Sequence, residues 1–356
     1  MKRYYWGRPF WIFLPVVLSL CSCAMPFEDI AKMSSMEMIE YNTKGIKKAV
    51  VTVGTIQDGQ IQYNVYGENG KKLSHEEHIY EIGSITKTFT TSLLSKAVSE
   101  NKASFDDSIS RFLVLPAKNY YPSIRRIITH TSGYKNFYYD DYGTANLLGR
   151  NPIYGVTGKK LLNRIGTINL VNRDYPFVYS NFGMAAIGLT LESIYDEDYT
   201  TLMNNYIKND LGLNHTKVSD GKGDLSNYWI WDKGNPYIAT GGITSTVTDM
   251  MQYAQMQIDE TPSYLEFAHD ILATVNETTP DYEKLGIRTD AVGAGWMIDT
   301  VNNIIWHGGG TGNYNSYLGF DKTKRIAVTV LSNMSDSLEI TAVMIGSALL
   351  GELQGR

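Results

Sequence analysis

Runs of β-forming residues stand at both ends of this chain, while the stretch between them is largely helical or irregular, and this restricts the folds open to it. Near the start, Ala49–Ile56 and Ile61–Tyr66 flank Gln57-Asp58-Gly59-Gln60, and Asp-Gly between two such runs signals a hairpin. Near the end, Gly293–Asp299, Ile304–His307, Ser316–Phe320 and Ile326–Ser332 read as strands. Asn302-Asn303 and Asp321-Lys322 are the expected tips. Between these ends, Ser84 to about Val98 places Ile85, Phe89, Leu93, Leu94 and Val98 at helical spacing. Thr246-Val247-Thr248-Asp249 fits a capping box opening a helix to about Gln257. Ser337 to Leu350 reads as a closing helix. The expected class is α+β: an antiparallel sheet built from N- and C-terminal strands, flanked by helices. A mostly helical insertion at about 103–245 would leave a cleft against the sheet, a usual place for a substrate.

Composition narrows the function. The 356 residues are 43% hydrophobic and 19% charged, with a net charge of −5. That is an ordinary globular balance with no basic footprint, so nucleic acid is not an expected partner. The 25 tyrosines suit clefts, where a flat ring carries a polar tip. The only cysteines are Cys21 and Cys23, which leaves residues 24–356 without a disulfide or thiolate metal site. His75 and His78 are the only close histidine pair, and a turn explains them more simply than zinc, which needs further ligands. No metal or other cofactor is expected.

The N-terminus reads as an address. Lys2, Arg3 and Arg8 precede an apolar stretch from Phe10 to Leu20, shorter than the roughly 20 residues of a membrane-spanning helix. It ends at Leu20-Cys21-Ser22-Cys23, which resembles a bacterial lipobox. Residues 1–23 are therefore expected to be a lipoprotein-type signal, with Cys23 lipidated at the mature N-terminus. An ordinary cleaved signal or an uncleaved anchor are the alternatives, and all three imply export. Residues 24–45 read as a tether and 46–356 as the globular domain.

Three short segments carry chemistry. Ser84-Ile85-Thr86-Lys87 sets a hydroxyl and an amine one helical turn apart on one face. A serine needs a base before it attacks, and a partly desolvated lysine can relay protons. N–H groups at the helix start add positive potential where negative charge develops. Alone, the tetrapeptide reads more simply as a capped helix with an exposed lysine. Tyr179-Ser180-Asn181 offers a phenol, a base only if its pKa of about 10 is lowered, and an amide suited to a substrate amide. Alone, it is also a loop entering a helix. Trp306-His307-Gly308-Gly309-Gly310 runs a strand into three glycines, which often marks close approach of a ligand or backbone. The Gly310 and Ser84 N–H groups could form an oxyanion hole.

Taken in order, these segments resemble the active-site motifs Ser-x-x-Lys, Tyr-x-Asn and Lys/His-Thr/Ser/Gly-Gly of the serine β-lactamase-related family. That family includes class C β-lactamases, D-alanyl-D-alanine carboxypeptidases, D-aminopeptidases and esterases. Phe105-Asp106-Asp107 with Phe112-Leu113, Ile128–Gly133, Gly241-Gly242 and Gly310–Phe320 also match the family pattern, so the likeness spans about Val50 to Leu350. The resemblance implies a β-lactamase/transpeptidase-like fold and an acyl-enzyme at Ser84, with Lys87 and Tyr179 handling protons. It implies that Asn181, His307, Gly309 and Gly310 bind substrate, and that His130 is structural.

Two departures bear on the substrate. His307 stands where class C β-lactamases typically carry lysine, and an imidazole holds a carboxylate less firmly than an ammonium. Asn313 stands where many relatives have glycine, and asparagine tolerates a positive φ. The leading expectation is a D-peptidase or carboxypeptidase on D-alanyl, cell-wall-type peptides. An esterase or weak β-lactamase with the same nucleophile is the second, and a catalytically silent binder of cell-wall fragments the third. Specificity is expected from loops of the insertion around Tyr120 to Tyr154.

Overall fold

The computed structural model describes residues 25–138, 151–335 and 338–356. Cys21, Cys23 and the rest of the leader lie outside the described residues, as do 139–150 of the expected specificity loop and the start of the expected closing helix at Ser337.

The N-terminal part holds α1 (Phe27–Ile30), α2 (Ser35–Asn42), β1 (Val51–Gln57), β2 (Gln60–Tyr66), β3 (Tyr80–Glu81) and α3 (Thr86–Ser99). The middle holds α4 (Ile124–Ile128), α5 (Gly158–Thr167), α6 (Asn181–Tyr195), α7 (Tyr199–Asn205), β4 (Lys217–Val218), α8 (Ile238–Gly241), β5 (Ile243–Ser245) and α9 (Val247–Asp259). The C-terminal part holds β6 (Ala273–Thr274), α10 (Pro280–Lys284), β7 (Ala291–Val292), β8 (Met297–Asp299), β9 (Ile304–Gly310), β10 (Asn315–Asp321), β11 (Ile326–Ser332) and α11 (Ala342–Gln354).

The two ends of the chain share one antiparallel sheet, in the order β2-β1-β11-β10-β9-β8-β7-β6, as expected from the pattern of runs. Asp58 and Gly59, both at positive φ, turn β1 into β2 with Gln57 opposite Gln60. Successive side chains of a strand face opposite ways, and that alternation builds two cores. Val51, Val53, Tyr317, Val328 and Val330 pack with Ile39, Ile345 and Leu350 of α2 and α11. Ile56, Leu318, Phe320, Ala327 and Leu331 pack instead with Phe89, Leu93, Val247 and Met250 of α3 and α9. The sheet is thus sandwiched, and α3 is enclosed between it and the insertion. Residues Thr86–Ser95 are buried throughout. The α3 hydroxyls bond back to carbonyls one turn earlier, as Thr90 does to Thr86 and Ser92 to Thr88.

Several expectations are corrected. Residues 25–45 are not a tether: α2 opens on a capping box from Ser34 and Glu37 and buries Met38 and Ile39. Ser35 bonds Glu352 of α11 through both its N–H and its hydroxyl. Sparse apolar residues conceal this helix because it needs only a narrow stripe against α11. Gly293–Asp299 is not one strand, since Gly295 at φ +73° turns β7 back along β8. The reciprocal half of the capping box at Thr246 is not made. Thr246 accepts from the Asp249 N–H, but the Asp249 carboxylate turns to His215 and Thr216. The closing helix begins at Ala342, and Asn313 is not at positive φ. The insertion also carries β4 and β5, which form a small second sheet with β3 in the order β3-β5-β4.

Candidate active site

The nucleophile candidate stands at a junction that its neighbours force. Ser84 lies in the 3-10 turn Gly83–Ile85 just ahead of α3, not inside the helix. Residues three apart eclipse in such a turn, so Ser84 and Lys87 still share a face. Gly83 sits at φ +50°, and a Cβ there would fall 2.5 Å from the Gly310 nitrogen. A Cβ on Gly309 would fall 2.0 Å from the Ile82 carbonyl oxygen and 2.4 Å from Ser316 Oγ. The turn carrying Ser84 therefore lies directly against the end of β9, and both glycines are required by that approach. Ser316 Oγ donates to the Ile82 carbonyl at 2.8 Å and fastens the turn to β10.

Lys87 is fully buried, with Nζ 2.9 Å from Ser84 Oγ and 2.7 Å from the Thr240 carbonyl at the end of α8. Burial drives its pKa well below that of free lysine, with no carboxylate offsetting the desolvation. Tyr179 completes the group. Its ring centroid is 4.9 Å from Lys87 Nζ and its hydroxyl hydrogen-bonds Ser84. Burial pushes this phenol far above its usual range, and the bond from Ser84 only partly offsets it. Tyr179 is thus held as a protonated phenol, so the lowered pKa that a phenolate base would need is not met, while the Lys87 pKa moves in the direction that favours the neutral amine, the form able to accept a proton.

A second segment places Tyr179. The N–H groups of Val178 and Ser180 bond the carbonyl and Nδ1 of His130, and Ser180 Oγ bonds the Lys135 carbonyl. Because His130 Nδ1 accepts, its proton sits on Nε2, and burial lowers the ring's pKa far enough to keep it neutral. Asn181 is the first residue of α6, and its Nδ2 donates to Asn136 Oδ1 at 2.8 Å. It does not line the cavity that opens at Ser84, unlike Tyr179, His307, Gly309 and Gly310. That cavity measures about 320 Å³. Residues with no sequence signal complete the site: Thr240 offers only its backbone oxygen, and Asn136 lies in an irregular stretch.

The family model described as Beta-lactamase matches residues 41–350. The chain belongs to the Beta-lactamase family. This is a family of serine hydrolases, and an antiparallel sheet flanked by helices is its fold. Protein flp of Staphylococcus aureus (strain NCTC 8325 / PS 47) is 20% identical over 281 residues, 72% of this chain and 53% of that protein. The chain thus spans about half the length of these curated relatives. Among solved structures, the octameric penicillin-binding protein homologue from Pyrococcus abyssi superposes with a TM-score of 0.71 at 23% identity, covering 90% of this chain and 76% of that one. The β-lactamase/D-alanine carboxypeptidase from Yersinia pestis, complexed with citrate, gives 0.69 at 19% identity, covering 94% and 100%.

Within this Beta-lactamase frame, His307 stands on β9 at the cavity wall. Its Nδ1–H donates to the Gly308 carbonyl at 2.6 Å, while Nε2 is buried without a partner among the described residues. Burial and the neighbouring Lys87 push its pKa down to about 3, so the imidazole is neutral. Its ring centroid is 6.1 Å from that of Tyr179. His78, from the close histidine pair, bonds Asp224 at 2.5 Å, and no metal-binding cluster occurs among the described residues.

Proposed function

We propose that this Beta-lactamase-family protein is an acyl-enzyme hydrolase acting on D-alanyl peptides of the cell-wall type. The observation that carries the reading is the fully buried Lys87 amine 2.9 Å from Ser84 Oγ, whose pKa desolvation pushes well below that of free lysine. A neutral amine can receive the hydroxyl proton as Ser84 Oγ attacks the substrate carbonyl. The N–H groups of Ser84 and Gly310 would take the tetrahedral oxygen. The Tyr179 phenol would give its proton to the departing amine and regain one from Lys87. Water would then cleave the ester at Ser84 and restore the hydroxyl. The D-alanyl preference rests on the family and on the name of the Yersinia pestis neighbour. The basic, apolar leader ending at Cys23 supports export as a lipid-anchored protein facing the wall, where such peptides are found.

One mass-spectrometric experiment tests both parts. Full-length protein extracted in detergent is treated with a fluorescent penicillin and mapped by peptide. The expected result is a lipid mass on Cys23 and a penicilloyl mass on Ser84, the latter lost in Ser84→Ala. Release of D-alanine from a D-Ala-D-Ala peptide is then compared with hydrolysis of a chromogenic cephalosporin and of a nitrophenyl ester. No adduct and no turnover would favour a silent binding protein. An unmodified Cys23 would refute the anchor.

A further inference from the structure

The cavity beside Ser84 is walled by Tyr282, Ile287, Met297, Trp306 and Val343, and among the described residues no lysine, arginine, aspartate or glutamate lines it. The polar groups on its walls are largely engaged elsewhere. The Trp306 indole N–H donates to the Arg288 carbonyl at 2.8 Å. Asn315 gives its Nδ2 to the Met334 carbonyl and takes the Ala342 N–H on Oδ1. Ser316 Oγ is spent on Ile82. His307 shows the cavity no cation, because Nδ1 is bonded to Gly308 and Nε2 is buried.

Val343 contributes directly to this apolarity. A Cβ on Gly308 would fall 2.5 Å from Val343 Cγ2. The first turn of α11 therefore fills the space that a side chain at 308 would need, and a methyl group stands there. A helix start otherwise attracts anions, but the first N–H of α11 is already held by Asn315 at 2.6 Å. A carboxylate entering here would lose its water and meet no cation among the described residues, whereas an apolar group would be buried favourably.

We propose that this cavity is the subsite for an uncharged apolar substituent beside the scissile bond, so that the protein cleaves amidated, esterified or internal D-amino-acid bonds in preference to those next to a free carboxylate. This rests on Ser84 acylation and narrows the substrate within it. The test uses full-length protein and two pairs of substrates that differ in charge. Cleavage of the D-Ala–D-Phe bond is followed for N-acetyl-D-Ala-D-Phe as the free acid and as the carboxamide. Hydrolysis of p-nitrophenyl butyrate is compared with that of p-nitrophenyl hydrogen succinate. The uncharged member of each pair turned over is expected to have a kcat/KM at least about tenfold higher. Val343→Lys, which adds a cation at the cavity wall, is expected to narrow or reverse that ratio. Equal or faster turnover of the charged member by the wild type overturns the proposal, whatever the variant does. If that occurs while a fluorophosphonate still labels Ser84, the acyl-enzyme reading stands and only the subsite reading falls. Absence of label overturns both.

Discussion

Glu81 offers a quantitative test of how the site is held. It lies three residues before Ser84, on β3, and is 2% exposed. One carboxylate oxygen accepts the Trp229 N–H at 2.5 Å and the other the Thr311 hydroxyl at 2.6 Å. The carboxyl thus ties the loop around Trp229 to the residue that follows Gly310. Burial outweighs both bonds and raises its pKa from 4.5 to about 7. A folded-state pKa above the unfolded value means that the native protein binds this proton more tightly. The stability involved is fully present below pH 4.5 and is lost as pH rises through 7. A shift of this size corresponds to about 3 kcal/mol at about 1.4 kcal/mol per pH unit. Glu81→Gln keeps the shape and stays neutral. Its oxygen can accept from Trp229, and the Thr311 hydroxyl can turn to accept from the new amide. Urea unfolding of both proteins at half-unit steps from pH 4.5 to 8 measures the difference, in which charges common to both cancel. Wild type is expected to lose about 3 kcal/mol relative to Glu81→Gln across that range. The facing groups Tyr228 and Tyr314 are pushed up and Asp224 is pulled down, so none of them produces this slope. Parallel curves, or a wild type that gains on the variant as pH rises, would refute the reasoning.

Two further substitutions probe the junction. Gly309→Ala places a methyl 2.0 Å from the Ile82 carbonyl oxygen; overpacking of this kind costs about 1–3 kcal/mol. Thermal unfolding should show that loss, and Ser84 labelling should slow as the turn is pushed off β9; wild-type behaviour in both would mean that the approach is looser than described. Lys87→Met keeps the volume and removes the amine. Acylation should slow by about 10²–10⁴-fold, and the rise of wild-type rate with pH, through a pKa below the ordinary lysine value, should vanish. Stopped-flow labelling across pH measures this, and a variant that acylates normally would remove Lys87 from the proton path.

Local signals were readable wherever one short segment settles its own geometry. Asp58-Gly59 specifies a hairpin because both residues tolerate positive φ, and Gln57 does pair with Gln60. The spacing of Ser84 and Lys87 puts hydroxyl and amine on one face whether the backbone there is 3-10 or α. Runs of β-forming residues at β1, β10 and β11 are enough to expect a sheet shared by the two termini, and β10 and β11 are buried along their whole length. Helix α2 was missed because its buried face is short. The turn at Gly295 was missed because glycine within an apolar run reads equally as strand.

The chain's order of residues determined which groups could react: an alcohol with an amine one turn away, a phenol, and glycines that admit close backbone contact. Tertiary structure alone decided their chemical state and surroundings. The Lys87 pKa is pushed well below that of free lysine because α8, the sheet and the insertion enclose it, with the Thr240 carbonyl as its remote partner. The cavity is apolar because Val343, thirty-five residues beyond Gly308 in the sequence, packs over that glycine. Desolvation and long-range packing depend on what lies within a few ångströms in space, and residue order alone does not specify that neighbourhood.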